Sequence, residues 1–312
     1  MSFGRESRAS GRLVTVVALA AAFAATLSGS AAGADTNVFG NVSSDTTWTA
    51  AGSPYVMTST VSVASGVTLT IEPGVTVKGT SSTYELVVNG GLVAEGTEAS
   101  PIVFESDQAS PTYGDWKGLR FTSGSTASLQ WIEVHHATTG LRFESPAAAD
   151  YAVSDVVITA FDDYGVHVTG ESTAGLDLAN IEVDGTAAYS SAVGLYVYDN
   201  SEGPSMTVDG GSFHDLSRGV YVYNSHVDFS KTIFAHSGDG AYVRSSTSGS
   251  YYTNFDYCTF YGNDDAIDIY QGSSYYYVYV DVTNSVFGEN DYCIRRTSSY
   301  SPQSITFTNN LW

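Results

Sequence analysis

Carboxylates recur at fixed offsets from a repeated apolar motif near the end of the chain. Asp239 and Asp265 each stand one position before the motif's small residue. Asp264 and Asp291 stand two positions before it, and Asp268 lies nearby. If successive motifs stack as strands about 4.8 Å apart, these groups face like charges across one step. Such crowding raises a carboxyl pKa or recruits a cation. It also approaches the carboxylate spacing used in glycoside hydrolysis. Asp264, Asp265 and Asp291 are therefore the candidate catalytic carboxylates. Asp239 and Asp265 are the candidate ligands for a structural calcium ion, which takes oxygen donors.

Tyrosine is the second resource. The chain holds 22 tyrosines. Tyr196, Tyr221 and Tyr242 occupy the same place in three consecutive motifs, and Tyr198, Tyr223 and Tyr270 fall two residues further on in theirs. A phenol ring is flat and apolar with a hydroxyl at its edge, which suits stacking on sugar rings. Arg142 and His167 flank the tyrosines and offer polar contacts. These eight residues are the candidate ligand-binding set. Tyrosine is also a favourable strand residue, so the same column serves as a purely structural ladder in the competing reading.

Both sets depend on the repeat. Its core is a small residue, an apolar one, any residue, and a second apolar one. It appears as Gly118-Leu119-Arg120-Phe121, Gly140-Leu141-Arg142-Phe143, Gly165-Val166-His167-Val168 and Gly194-Leu195-Tyr196-Val197. It continues as Gly219-Val220-Tyr221-Val222, Gly240-Ala241-Tyr242-Val243, Ala266-Ile267-Asp268-Ile269 and Cys293-Ile294-Arg295-Arg296. The steps are 22, 25, 29, 25, 21, 26 and 27 residues. A second column, Val134, Phe213, Phe234, Phe260 and Phe287, lies six residues before the small residue of each rung, and Trp312 follows Phe287 by 25. Alternation within each motif predicts half-buried strands. Variable steps of this size predict a solenoid with unequal turns. A sandwich would not repeat one motif in register, and a propeller blade needs about 40 residues. The residue between the apolar pair then points outward, giving the column Arg120, Arg142, His167, Tyr196, Tyr221, Tyr242, Asp268 and Arg295.

The segment Val61–Gly79 resembles the entry rungs of secreted bacterial right-handed parallel β-helix proteins of the pectate-lyase-like superfamily. Leu86–Leu92, Gly96-Thr97 with Pro101–Phe104, and Gly114–Gly118 resemble them too. The resemblance implies a single all-β right-handed parallel β-helix over 61–312, with 35–60 as an N-terminal cap. It also implies that a polysaccharide chain lies along one outward face. Asn263–Asp268 resembles the NTDGID motif of polygalacturonases, and Asn290–Ile294 their DDCI. Tyr292 replaces the second aspartate, and no Gly-His-Gly or Arg-x-Lys follows. Trp131–His135 is the only similarity to pectate-lyase motifs, with one residue too many and no R-x-P-x-x-R. The expectation is an exported protein, non-catalytic, binding glycan or serving as a structural or adhesive module. The alternative is a polysaccharide hydrolase or lyase.

Arg5, Arg8 and Arg12 precede a 15-residue apolar run, Leu13 to Leu27, and Ala32-Gly33-Ala34 ends it as a cleavage site. Residues 1–34 are thus expected to be a signal peptide, leaving no membrane segment in the mature chain. The formal net charge is −21. Such a surface repels phosphate backbones, so nucleic acid is excluded as a partner. Cys258 and Cys293 fall on different strands of the predicted register and are expected to remain unpaired. The six histidines share no column. Arrival of the chain at Trp312 as a new rung begins leaves room for further domains.

Overall fold

The computed structural model describes residues 34–146, 151–170, 176–186, 190–199, 206–273, 275–298, 300 and 304–312. The expected signal peptide lies, apart from Ala34, outside the described residues. Among them are 26 strands and one short helical turn, Ala50–Gly52. Every named strand pairs in parallel with the strand one turn further along, never with its chain neighbour. One series runs Thr139–Glu144, Tyr164–Gly170, Val193–Asp199, Arg218–Tyr223, Asp239–Ser245, Asp265–Gln271 and Tyr292–Arg296. A second runs Thr126–His135, Tyr151–Thr159, Asp177–Asp184, Met206–His214 and Val227–Ala235. This is the right-handed parallel β-helix that the repeat predicts.

Parallel pairing, in register except for a shift between Val38 and Gly40 in the first turn, places like residues on like. Phe213 pairs with Phe234, Phe234 with Phe260, and Phe260 with Phe287. Their rings stack at 5.9, 4.8 and 4.9 Å, and Trp312 lies on Phe287 at 4.6 Å. The column read from spacing is a stack running down the core. Polar groups inside the core follow the same rule. Asn263 Nδ2 donates to the Phe234 carbonyl at 2.9 Å, and Asn290 Nδ2 donates to the Phe260 carbonyl at 2.9 Å. The buried Asn263 amide and the half-buried Asn290 amide thus meet the backbone of the turn before, which offsets the cost of taking them out of water.

Two local features shape each turn. The strands of the second series bend at one left-handed residue: Trp131, Asp155, Asn180 and Lys231 have φ between 48° and 55°, and Gly210 has 69°; in later turns Tyr257, Asn284 and Asn309, just past strand ends, have 52° to 57°. The small residue of the motif has a different cause. A Cβ on Gly219 would sit 2.5 Å from the Gly240 carbonyl oxygen, and one on Gly194 would sit 2.4 Å from that of Gly219. The backbones of adjacent turns approach too closely there for a larger side chain.

Residues 35–60, the expected N-terminal cap, carry strands that pair in parallel with the following turn. Thr36–Val42 pairs with Tyr55–Val63, and Thr46–Trp48 pairs with Thr68–Ile71, both in parallel. The segment is itself a turn of the stack, because its alternating residues satisfy the same ladder. Cys258 and Cys293 are free thiols, as their register requires. Cys258 is buried and held well above the usual thiol range, at about 12, by that burial. Cys293 is only half-buried, since it lies on the last turn of its strand series.

Phe234→Ala should cost about 3–5 kcal/mol in urea unfolding, since it removes a fully buried ring from the middle of the stack. Tyr257→Gly, at an exposed left-handed corner, should stay within about 1 kcal/mol of the parent. A small effect at Phe234 would contradict the stacked core.

Candidate functional site

The small-residue column decides which side chains reach the surface. Around it the burial runs half-buried, buried, buried, half-buried in Tyr164–His167, Arg218–Tyr221 and Asp239–Tyr242. The residue before the small one and the residue two after it therefore both face outward, three apart on one strand. This gives three outward columns on one sheet. The middle one is Arg120, Arg142, His167, Tyr196, Tyr221, Tyr242, Asp268 and Arg295, each paired with the next. Beside it run Glu144, Thr169, Tyr198, Tyr223, Arg244 and Tyr270. On the other flank run Tyr164, Val193, Arg218, Asp239, Asp265 and Tyr292. Tyr164 and Arg218 belong to the site and were not read from sequence. The signal was their place one residue before the glycine.

The rings form one continuous strip. Tyr164 meets His167 at 4.5 Å and Tyr196 at 5.2 Å, and His167 meets Tyr196 at 5.1 Å. Tyr196 meets Tyr221 at 5.0 Å, and Tyr221 meets Tyr242 at 4.9 Å. The last two pairs cross at 76° and 55°. The rings were expected to be exposed, but Tyr196, Tyr221, Tyr242, Tyr198, Tyr223 and Tyr270 are all half-buried. At a strand spacing near 4.8 Å each ring shields its neighbour. Two arginines cover more. The Arg218 guanidinium sits 4.6 Å from the Tyr242 ring centre, and Arg244 lies 4.9 Å from Tyr223 and 5.0 Å from Tyr270. Burial pushes the Tyr242 hydroxyl up to about 12 and raises that of Tyr196 as well. Burial, helped by Arg142, lowers His167 to about 4. His167 and the hydroxyls of Tyr196 and Tyr242 are therefore neutral at pH 7, beneath the charged guanidiniums of Arg218 and Arg244.

Each end of the strip is ionic. At one end Arg120 Nε and Nη2 grip Glu144 at 3.1 and 3.2 Å, and Nη1 reaches Glu85 at 3.4 Å. Arg142 reaches the same Glu144 at 3.0 Å. A cavity of about 220 Å³ opens there, walled by Tyr164 and His167. At the other end Asp239, Asp265 and Asp268 bring carboxylate oxygens within 4.8 Å of one another. Arg218 donates to Asp239 at 2.8 Å, and Arg295 to Asp265 at 2.8 Å. The second Asp265 oxygen, Oδ1, is buried with no hydrogen-bond partner. Burial, then the Asp239 charge, pushes Asp268 up to about 6. Burial raises Asp239 despite Arg218.

The carboxylate group differs from the expected one. Asp264 and Asp291 are exposed and lie outside it, and Asp268, buried, takes their place. The strand begins at Asp265, so Asp264 belongs to the preceding turn, where its amide bonds the Ser237 carbonyl. Calcium takes six to eight oxygens. Two of the three carboxylates already give an oxygen to a guanidinium, so the group fits calcium poorly. A separate aromatic pair lies on another face: Tyr252 and Tyr279 stack at 4.5 Å and 11°.

Two family models match the chain. The pectate-lyase-like β-helix domain covers residues 40–137, and the right-handed β-helix region covers 164–311. The chain belongs to the pectate-lyase-like right-handed β-helix repeat proteins. It is 34% identical over 103 residues to Protein bark beetle of Drosophila melanogaster, a match covering 31% of this chain and 3% of that protein. Among solved structures it is similar to the catalytic domain of a GH87 α-1,3-glucanase in complex with tetrasaccharides. That likeness has a TM-score of 0.43 and 8% identity, and covers 89% of this chain and 65% of the other.

Asp268 makes a pH test of this geometry. Its folded pKa is about 6, against 3.8 for the free group. The folded state therefore holds the proton more tightly, and this contribution to stability is lost as pH rises through that window. From pH 4 to 7, Asp268→Asn should gain roughly 1–3 kcal/mol relative to the parent in denaturant titrations. Parallel pH profiles would contradict the buried triad.

Proposed function

We propose that the chain is an exported protein that binds a neutral polysaccharide along the aromatic strip, as a recognition or adhesive module outside the cell or at its surface. The observation that carries this reading is the run Tyr164, His167, Tyr196, Tyr221 and Tyr242, whose ring contacts are unbroken across four turns. The crossing of Tyr196, Tyr221 and Tyr242 matters as much as their number. Rings stacked in parallel, as at Tyr252 and Tyr279, cover each other's faces. Rings crossed at 55–76° leave part of each face turned outward, where a sugar's C–H face packs. Neutral hydroxyls on the strip suit an uncharged ligand, and the formal charge of −21 disfavours an acidic one. Export rests on the arginine-led apolar run at residues 5–27.

A second reading has its own observation. Asp239, Asp265 and Asp268 border Tyr242, and Asp268 holds a proton into the pH 6 range beside an Asp265 that is paired with Arg295. A protonated and an ionised carboxyl next to a sugar strip are the parts of a glycoside hydrolase. In that reading the strip delivers polysaccharide to the triad.

Tyr221→Ala separates recognition from structure. Titrated with cellohexaose, laminarihexaose, xylohexaose and mannohexaose, the parent should bind at least one. The variant should bind it roughly threefold to tenfold more weakly, the loss of about 0.5–1.5 kcal/mol per ring contact, with Tm little changed. A purely structural ladder gives the reverse: a fall in Tm and no binding in the parent. Release of reducing sugar by the parent, abolished in Asp265→Asn, would move the assignment to the hydrolase.

A further inference from the structure

The cavity at the arginine end of the strip has a composition that selects its occupant. At about 220 Å³ it lies below the roughly 300 Å³ at which drug-sized pockets begin, so it holds one ring-sized unit. One wall is aromatic. Tyr164 and His167 lie 4.5 Å apart at 33°, and both touch Tyr196, the next ring of the strip. A unit seated here is continuous with a unit on Tyr196.

The rest of the lining is largely ionic, and its two arginines are neutralised by Glu85 within it and by Glu144 beside it. Glu144 binds Arg120 through two hydrogen bonds and also meets Arg142, and Glu85 closes the third side of Arg120. The guanidinium of Arg120 is held by these bonds to Glu144 in its charged form, above its ordinary range. Two charges remain in the lining, Lys117 and Asp163, one of each sign. His167 adds none above about pH 4. The lining thus holds the cations Lys117, Arg120 and Arg142 and the anions Glu85 and Asp163, and Glu144, outside it, balances the third cation through its bonds to both arginines. An acidic sugar that pairs with Arg120 or Arg142 competes with Glu144 and Glu85, and one that turns to Lys117 meets Glu85 and Asp163 as like charges. A neutral sugar meets no such barrier. Its hydroxyls accept from Lys117 and Arg142 and donate to Asp163, while its C–H face lies on the aromatic wall. The Thr138 and Thr139 positions line the same space.

We infer that this cavity is the anchoring subsite of the strip and takes a single neutral hexopyranose unit, discriminating against uronic acids. The inference rests on the glycan-binding reading and adds the substrate class and the place of tightest contact.

The test uses saturation-transfer NMR on the full mature chain with methyl glucoside, methyl galactoside, methyl mannoside, glucuronate and galacturonate. At least one neutral glycoside should give saturation transfer, and the two uronates should give none. Thr138→Trp, which fills the cavity and leaves Tyr196, Tyr221 and Tyr242 of the strip in place, should abolish that signal. The same variant should weaken the best hexaose by at least tenfold. Lys117→Ala gives a second reading if the tryptophan variant fails to fold: the neutral glycoside should lose affinity and the uronates should stay silent. A signal from the uronates that vanishes in Lys117→Ala would overturn the inference in favour of an anion site. Hexaose binding that depends on Tyr221 with no monosaccharide signal would leave the strip intact and sink the subsite. Absence of hexaose binding altogether would instead sink the glycan-binding reading itself.

Discussion

The parallel backbone ladder between successive turns fixes everything else in this molecule. Each turn bonds to the next in register, so a residue type repeated at one position becomes a column along the solenoid. Inside, that makes the phenylalanine stack from Phe213 to Phe287. Outside, it makes the row from Arg120 to Arg295. The ladder also demands the glycines: the carbonyl of the next turn stands where the Cβ of Gly219 or Gly194 would be. The irregularity at that column turns two residues outward, three apart, and raises the density of side chains on a face where the glycine itself offers none.

That density explains the character of the outward sheet. Rings 5 Å apart shield each other, which leaves the tyrosines half-buried and lifts the pKa of Tyr242 and Tyr196. The same crowding makes isolated charge costly, so arginines and carboxylates settle in compensated groups at the two ends of the strip. Compensation is complete around Glu144. It is incomplete at Asp239, Asp265 and Asp268, where three carboxylates share two arginines and Asp268 rises to about 6.

The columns themselves were legible in the sequence, because periodicity alone ties Tyr196 to Tyr221 and Tyr242. The right-handed β-helix followed from the same repeat. What periodicity does not carry is the conformation at the glycine. Tyr164 and Arg218 stand one residue before it, and simple alternation assigns that place no partner on the face. Asp264 and Asp291 had the right spacing yet sit in the turn, since strand pairing starts one residue later. The cavity was not legible either. Its lining comes from Glu85, Lys117, Thr138 and Asp163, residues drawn from four successive turns with no common motif.

The proposed binding along the aromatic strip is tested most directly by a tyrosine-ring NMR titration of the chain from residue 35 onward, carbon-13 labelled at tyrosine, with the neutral hexaoses. Shifts confined to Tyr164, Tyr196, Tyr221 and Tyr242, with Tyr252 and Tyr279 unmoved, are the predicted result. Shifts at Tyr252 and Tyr279 instead, or none at any ring while the polysaccharide still binds, would contradict it.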